Sequence, residues 1–154
     1  MIRKATEDDL EIVAHDLAKR LHAKLGSTSK AEIHMPTMFR VMRHFILAND
    51  KLFIVAEHKN HLHGFLMAAV EPFWWSDPLR GRRYATDFAF YSEIRGDGIL
   101  MLKALQEWAW MQPRVIEVAI ATNVPKGRGV VERMFAKAGF EQVGGRFKVS
   151  KPDG

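Results

Sequence analysis

The sequence contains no cysteine among its 154 residues. Disulfide bonds, thiolate metal sites and a cysteine nucleophile are therefore excluded. It also lacks any apolar run close to the roughly 18–20 residues of a membrane-spanning helix, and its first residues, MIRKATEDD, contain no apolar signal-peptide core. From these absences we expect a cytoplasmic protein that does not insert into a membrane.

Linkers, internal repeats and low-complexity tracts are absent as well, so we expect residues 1–154 to form a single domain. The hydrophobic content of 47% and charged content of 27% are those of an ordinary globular protein. A net charge of +5 favours polyanionic ligands. Basic residues are dispersed apart from the short run RGRR at 80–83, so a nucleic-acid partner is not expected.

The periodicity of apolar residues predicts an α/β protein of the α+β type, in the order strand, two helices, three strands, helix, strand, helix, two strands. Strands are predicted at 2–5, 52–57, 64–70, 84–91 and 115–121. Helices are predicted from Leu10 to about Gly26, from Pro36 to Asn49, at 99–111 and around 130–138. FEQV and RFKVS, joined by Gly144 and Gly145, are predicted to close the chain as a hairpin.

The junction after the strand YATDFAFY (84–91) is the most informative stretch of the sequence. The strand runs into SEIRGDG and then into an apolar helix. Free N–H groups and the positive end of the helix dipole would point at whatever lies before that helix. Arg95, Gly96 and Gly98 therefore predict an anion site, although a surface loop with an ordinary helix start would have the same residues.

The run Arg95-Gly96-Asp97-Gly98-Ile99-Leu100 resembles the acyl-CoA-binding motif of the GNAT N-acetyltransferases, Gln/Arg-x-x-Gly-x-Gly/Ala. The order of elements is also similar to that of the GNAT fold. The resemblance implies a central mixed, mostly antiparallel sheet of about seven strands with four helices, in which two parallel strands splay apart at the centre. It further implies acetyl transfer from acetyl-CoA to a primary amine of a small molecule or peptide, by direct attack in a ternary complex.

The resemblance also implies where acetyl-CoA would bind. The end of the 84–91 strand would lend backbone groups to the pantetheine arm, and the turn would hold the pyrophosphate. A polar residue at the end of the fifth strand would contact the arm, although in TNVPKG it would equally suit a turn. The implied cofactor-binding residues are Phe88, Ala89, Phe90, Arg95, Gly96, Asp97, Gly98, Ile99 and Asn123.

Two residues are candidates for proton transfer. Asp87 lies in the middle of an apolar and aromatic strand, where a carboxylate is costly to bury unpaired, and we expect it to be the general base. The alternatives are an exposed position or a pair with Arg82 or Arg83. The proton for the leaving thiolate would come from Tyr91 or from water, unless the role is vacant, and Glu117 is a further carboxylate that would line the same cleft.

Two positions depart from the GNAT pattern. Leu100 stands where the family has a small residue that lets phosphate approach, and Phe135 stands where the family often has a tyrosine that protonates the thiolate. These departures favour an alternative function, a binding or structural protein that keeps the fold without the chemistry. In its small size and its departures from the GNAT motif, the chain is similar to small GNAT-like proteins of bacteriophages, some of which are virion or host-interaction factors.

Trp74 and Trp75 form an unusual pair for a loop. They are interpreted as a lid over the acceptor, as an interface with a protein partner or a second copy, or as a plug on the open side of the sheet. His58, His61 and His63 have no acidic or cysteine partner at metal-ligand spacing, so they are expected in a hairpin turn with no metal.

Overall fold

The computed structural model describes residues 1–24, 31–121 and 128–143. In these residues a mixed five-stranded sheet is packed between helices on both faces. The strands are β1 (Ile2–Lys4), β2 (Lys51–His58), β3 (His61–Pro72), β4 (Arg83–Ser92) and β5 (Val115–Ala119). The helices are α1 (Leu10–Ile12, a π-helical turn Val13–Leu17, and Ala18–Lys24), α2 (Met35–Leu47), α3 (Asp97–Met111) and α4 (Arg128–Lys137).

The strand order is β1-β2-β3-β4-β5, with antiparallel pairs except for β4 and β5, which run parallel. Successive residues of a strand point to opposite faces, so Phe65 and Leu66 of β3 enter two different cores. Phe65 packs with α1 and α2, and Leu66 packs with α3. Burying both faces of β3 explains why its sequence reads as a continuous apolar run.

Four helices and the five strands up to β5 confirm the predicted element order, with ends that differ by a few residues. The described residues form five strands, where about seven were predicted for the chain. Residues 140–143, the first half of the predicted hairpin, are not a strand, and the second half lies outside the described residues. In the same described part of the chain, no helix is long and apolar enough to cross a membrane.

The end of α4 explains why residues 140–143 do not form the expected strand. Gly139 has a φ of +90°, and the N–H of Phe140 donates to the carbonyl of Phe135 at 2.9 Å. This is a Schellman motif, in which a hydrophobic contact accompanies the backbone bond. The rings of Phe135 and Phe140 supply that contact, with centroids 5.7 Å apart. Phe140 therefore ends a helix.

The β2–β3 hairpin is confirmed, but its turn has two residues, not the six expected. Lys59 and Asn60 both have positive φ, 49° and 64°, and His58 pairs with His61 across them. Positive φ at both central residues is the type I′ geometry whose twist matches that of the strands. His58 and His61 therefore belong to the paired strands.

Candidate active site

Strands β4 and β5 pair over only part of their length. The parallel register runs from Arg83 opposite Val115 to Thr86 opposite Ala119. From Asp87 onward, within the described residues, β4 pairs with β3 alone. The edge of β4 that faces away from β3 therefore presents backbone N–H and C=O groups that a ligand can use.

A β-bulge begins at the same point. Met67 lies opposite Ala89 and Ala68 opposite Asp87, so Phe88 is the extra residue on β4. A bulge bends its strand and increases the local twist, which directs the following residues away from β5. Phe88 is exposed, and its ring lies 5.0 Å from that of Phe45 on α2. The predicted pantetheine-binding residues Phe88, Ala89 and Phe90 thus lie in the unpaired half of β4.

The turn after β4 places a helix N-terminus beside that half of the strand. Gly96 has a φ of +96°, which an L side chain rarely adopts, and it forms the N-cap of α3. The first helical hydrogen bond runs from the Leu100 N–H to the Gly96 carbonyl at 3.2 Å. The N–H groups of Gly98 and Ile99 precede it in the first turn and so have no carbonyl within the helix to bind. They form the geometry of an anion site.

Gly98 allows α3 to pack closely against α4. A Cβ atom at this position would lie 2.5 Å from the Sδ of Met134 and 3.5 Å from the ring of Phe90. The glycine therefore brings the helix N-terminus close to β4 and α4 at once. Within the predicted motif, Gly96 supplies the turn and Gly98 the close approach of neighbouring elements.

Two features of the same helix end act against a phosphate ligand. Leu100 is 50% exposed, so its side chain lies at the surface of the first turn and not in the core. Asp97 is only 6% exposed, and its Oδ2 has no hydrogen-bond partner among the described residues. A carboxylate is favourable at a helix N-terminus but repels a second anion there. The N–H groups of Gly98 and Ile99 favour an anion, while Leu100 and Asp97 act against a phosphate at this helix end.

Asp87 reaches across the opening between the strands. Its Oδ1 accepts a hydrogen bond from the backbone N–H of Ala121 at 3.1 Å. Ala121 lies two residues after the end of β5, so this bond connects the unpaired part of β4 to the chain that leaves the sheet. Asp87 is thus placed at the point where the strands part. Its role as a general base stays a prediction.

Tyr91 lies in a different environment from Asp87. Its side chain is buried between the sheet and α1, where its ring packs against Phe65 and lies 4.8 Å from the Nζ of Lys24. The hydroxyl donates to Glu93 at 3.0 Å. Burial, followed by this hydrogen bond to a carboxylate, raises the pKa of Tyr91 above its ordinary value. Its role as a proton donor stays a prediction.

Glu93 organises the polar groups around Tyr91. It accepts hydrogen bonds from Tyr91 and from Arg20 of α1, and the Nδ1 of His63 lies 3.5 Å from its Oε2. Partial burial raises the pKa of Glu93, but the bonds from Arg20 and Tyr91 outweigh it and lower the pKa overall. Glu93 therefore acts as an anchor between α1 and the end of β4.

Three further residues were singled out from the sequence, at the turn before α3, on α4 and after β5. The side chain of Arg95 is exposed at the turn before α3. Phe135, which replaces the tyrosine of the resembled family, packs its ring against Phe140. Asn123 lies outside the described residues, so its predicted contact with the cofactor is not addressed by this structure.

A cavity of about 320 Å³ lies between the β3–β4 loop and β5. Its lining residues are Phe73, Trp75, Ser76, Arg82, Ile116 and Glu117. From the sequence, the aromatic run and Glu117 were candidates and Arg82 was considered only as a partner of Asp87, while Ser76 and Ile116 were not predicted. Strand alternation predicts opposite faces for Ile116 and Glu117, and the register shift that leaves Ile116 as an extra residue of β5 has no sequence signal.

The sequence matches no protein-family model and no curated protein significantly. Solved structures do match. A transcriptional regulator from Bacillus halodurans has a TM-score of 0.73 at 23% identity, covering 98% of this chain and 99% of that one. A predicted acetyltransferase from Clostridium acetobutylicum, solved with acetyl-CoA, has a TM-score of 0.72 at 20% identity, covering 97% and 95%.

Glucosamine-6-phosphate N-acetyltransferase from Arabidopsis thaliana has a TM-score of 0.68 at 14% identity, covering 99% of this chain and 97% of that one. Identities this low indicate a shared fold and carry no residue-level assignment. The likeness covers nearly all of this sequence and nearly all of each of the three structures. The chain has a GNAT-like fold.

Proposed function

We propose that this protein is an acetyl-CoA-dependent N-acetyltransferase that acts on a primary amine. The observation that carries the proposal is the parting of β4 from β5 after Thr86 and Ala119, directly before the α3 N-terminus. An open strand edge can pair with the amide groups of a pantetheine arm. The N–H groups of Gly98 and Ile99 suit the phosphates at the other end of the same ligand.

The residues of the chain would act mainly by positioning. Acetyl-CoA would supply an acetyl group that is already activated as a thioester. The edge of β4 near Phe88 and Ala89 would hold the arm so that an amine can approach, and holding two reactants together contributes much of the rate in such a reaction. Backbone N–H groups of the same edge are candidates for stabilising charge that develops on the thioester oxygen.

Asp87 would receive the proton that the amine must lose. As the amine nitrogen bonds to the acetyl carbon, the carbon–sulfur bond breaks and its electron pair goes to sulfur. The nitrogen loses one proton and the sulfur gains one, so a neutral amine and acetyl-CoA give an amide and free coenzyme A. Tyr91 or water would supply the proton to sulfur, and Phe135 has no proton to give.

The alternative function is a binding or structural protein with the same fold. It is favoured by the exposed Leu100 and the buried carboxylate of Asp97, both at the place where phosphates would bind. Under this alternative the opening between β4 and β5 would have lost its cofactor. The exposed tryptophans of the β3–β4 loop would then be the first surface to examine for a protein partner or a second copy.

Calorimetric titration of the purified protein with acetyl-CoA tests the proposal. ADP, which lacks the arm, and desulfo-CoA, which lacks the thioester, are the controls. Micromolar binding of acetyl-CoA that ADP does not reproduce would support an intact cofactor cleft. Absence of binding at millimolar acetyl-CoA would overturn the proposal and favour the alternative.

A further inference from the structure

The cavity beside β5 lies on the face of the sheet opposite α3. Val115 and Val118 of β5 pack against the α3 cluster, whereas Ile116 and Glu117 line the cavity. Its volume of about 320 Å³ is at the lower end of the range of small-molecule sites. Trp75 and Ile116, which line the cavity, are 68% and 50% exposed, so the cavity is open to solvent.

One wall of the cavity is aromatic and held in place by ring contacts. Phe73 and Trp75 are stacked, with centroids 5.0 Å apart and planes 29° apart. Phe73 also packs against Tyr84 of β4 at 5.0 Å, and Trp74 meets Trp75 edge-on at 5.4 Å. These ring contacts restrict the orientation of the Trp75 indole, although it is 68% exposed.

The loop that carries this wall is folded on itself. The N–H of Gly81 donates to the carbonyl of Asp77 at 2.8 Å, and the guanidinium of Arg114 donates to the carbonyls of Leu79 and Gly81. A Cβ atom on Gly81 would lie 1.8 Å from the Oγ of Ser76, so only glycine permits this conformation. A loop that is already ordered loses little entropy when a ligand binds.

Two side chains of opposite charge face this cavity. Arg82 comes from the loop and Glu117 from β5, and within the described residues neither makes an ion pair or a side-chain hydrogen bond. A ligand with only a positive charge would be attracted by Glu117 and repelled by Arg82. A ligand with both an ammonium and a carboxylate would satisfy both side chains, and its ammonium would also gain from the nearby aromatic rings.

The cavity is close to the opening between the strands. Glu117 lies opposite Tyr84, and two residues later Ala119 lies opposite Thr86 in the last parallel pair. A strand rises by about 3.3 Å per residue, so Glu117 is roughly 7 Å from the point where β4 and β5 part. The proposed thioester position near Phe88 and Ala89 lies beyond that point on β4, so an amine held by Glu117 is too far away to attack it, and the cavity is a separate site.

We propose that this cavity binds a small zwitterion of the amino acid type with an aromatic or apolar side chain. Glu117 binds its ammonium, Arg82 binds its carboxylate, and Phe73, Trp75 and Ile116 contact its side chain. This binding does not rest on the proposed acetyltransferase function.

Three related probes test the charge pattern by calorimetry on the full chain without acetyl-CoA. L-Phenylalanine carries both charges, phenethylamine only the ammonium, and 3-phenylpropionate only the carboxylate. We expect L-phenylalanine to bind about tenfold more tightly than either of the others, since each loses one charge-assisted hydrogen bond. Equal binding of the three probes, or none at millimolar concentration, would overturn the proposal.

Substitutions identify which side chain binds the ammonium and which binds the carboxylate. Glu117→Gln should weaken L-phenylalanine and phenethylamine about tenfold and leave 3-phenylpropionate unchanged, and Arg82→Gln should weaken L-phenylalanine and 3-phenylpropionate only. Arg80→Gln in the same loop and Glu107→Gln on α3 are the matched controls. If the control substitutions lower the affinity for L-phenylalanine as much as the cavity substitutions do, the ligand does not bind in this cavity.

A separate titration with acetyl-CoA keeps the two proposals apart. Binding of L-phenylalanine without binding of acetyl-CoA would leave the zwitterion site standing and overturn the acetyltransferase function. Binding of acetyl-CoA together with equal binding of the three probes would overturn the zwitterion site and leave the acetyltransferase function standing.

Discussion

Asp87 can act on a proton or hold the open strand edge in place, and its hydrogen bond to Ala121 makes both roles testable. In Asp87→Asn the amide oxygen still accepts that bond but cannot take a proton. If Asp87 is the base, turnover should fall by about 10²–10⁴-fold while acetyl-CoA affinity is unchanged. Steady-state kinetics and calorimetry on the same preparation measure the two effects.

Asp87→Ala separates the two roles, because it loses the bond to Ala121 as well. We expect this variant to bind acetyl-CoA more weakly than Asp87→Asn does. Glu107→Gln on the exposed surface of α3 serves as the control. Full turnover in Asp87→Asn would limit Asp87 to a positioning role.

Leu100 is expected to restrict the phosphate position, since its side chain lies at the surface of the α3 first turn. Leu100→Ala removes the bulk and keeps a residue of high helix propensity. We predict that coenzyme A binds several-fold more tightly to this variant, about 1 kcal/mol in free energy. Met111→Ala at the other end of α3 is the control, because Met111 is also exposed. Unchanged affinity in Leu100→Ala would show that the leucine does not border the ligand.

At this scale the sequence predicted the local features of the site and missed its long-range contacts. The turn at Gly96 and the departure at Leu100 could be recognised because both belong to one short motif. The partner of Asp87 is 34 residues away along the chain. The burial of Tyr91 beside Lys24 depends on how α1 packs on the sheet, which no local pattern contains.

Helices α3 and α4 are packed so closely at Gly98 that adding one methyl group there should change the stability of the protein. Gly98→Ala would place a Cβ 2.5 Å from the Met134 Sδ, and overpacking of this kind costs about 1–3 kcal/mol. The gain in helix propensity is at most about 1 kcal/mol. We therefore predict that the substitution lowers the free energy of unfolding, as measured by urea denaturation.

The effect of Gly98→Ala on the free energy of unfolding should change sign once the Met134 side chain is shortened. In a Met134→Ala background the clash is removed, and Gly98→Ala should raise the free energy of unfolding by up to about 1 kcal/mol. This comparison is a double-mutant cycle on two contacting residues. The same effect of Gly98→Ala in both backgrounds would mean that Met134 does not limit the packing.

At the scale of elements, periodicity predicted which segments are helices and which are strands because each has one or two faces buried. It failed at 140–143, where Phe140 has the spacing of a strand residue but closes the Schellman motif of α4. The separation of β4 from β5 followed from the resemblance alone. The bulge at Phe88 that accompanies it has no sequence signal, since bulges occur with many residue types.

On the scale of the whole molecule, the N-terminal residues are tied to the rest of the fold by one ionic cluster. Arg3 of β1 contacts Asp9, next to the first turn of α1, at 2.8 Å and Glu57 of β2 at 2.5 Å. Asp9 is 6% exposed and also accepts from the Thr6 N–H at 2.8 Å. These bonds connect β1, the start of α1 and β2, so they should contribute to global stability.

The contribution should depend on pH in a defined direction. The hydrogen bond from Arg3, supported by that from Thr6, holds the pKa of Asp9 below its ordinary value despite partial burial. A carboxyl whose pKa is lower in the folded state gives its full stabilisation above the unfolded value, about 3.9, and loses it as the pH falls through the folded value. Stability from Asp9 is therefore complete at pH 7 and disappears only in strong acid.

Asp9→Asn should remove this dependence. Breaking a buried ion pair costs about 3–5 kcal/mol, and since Arg3 is 31% exposed we expect about 2 kcal/mol at pH 7. Urea denaturation of both proteins at pH 7 and near pH 2 measures the difference, which should shrink in acid because the native Asp9 is then protonated. Asp8→Asn, on the exposed side of the same turn, is the control. A difference that is constant with pH would show that the variant acts through packing and not through the charge of Asp9.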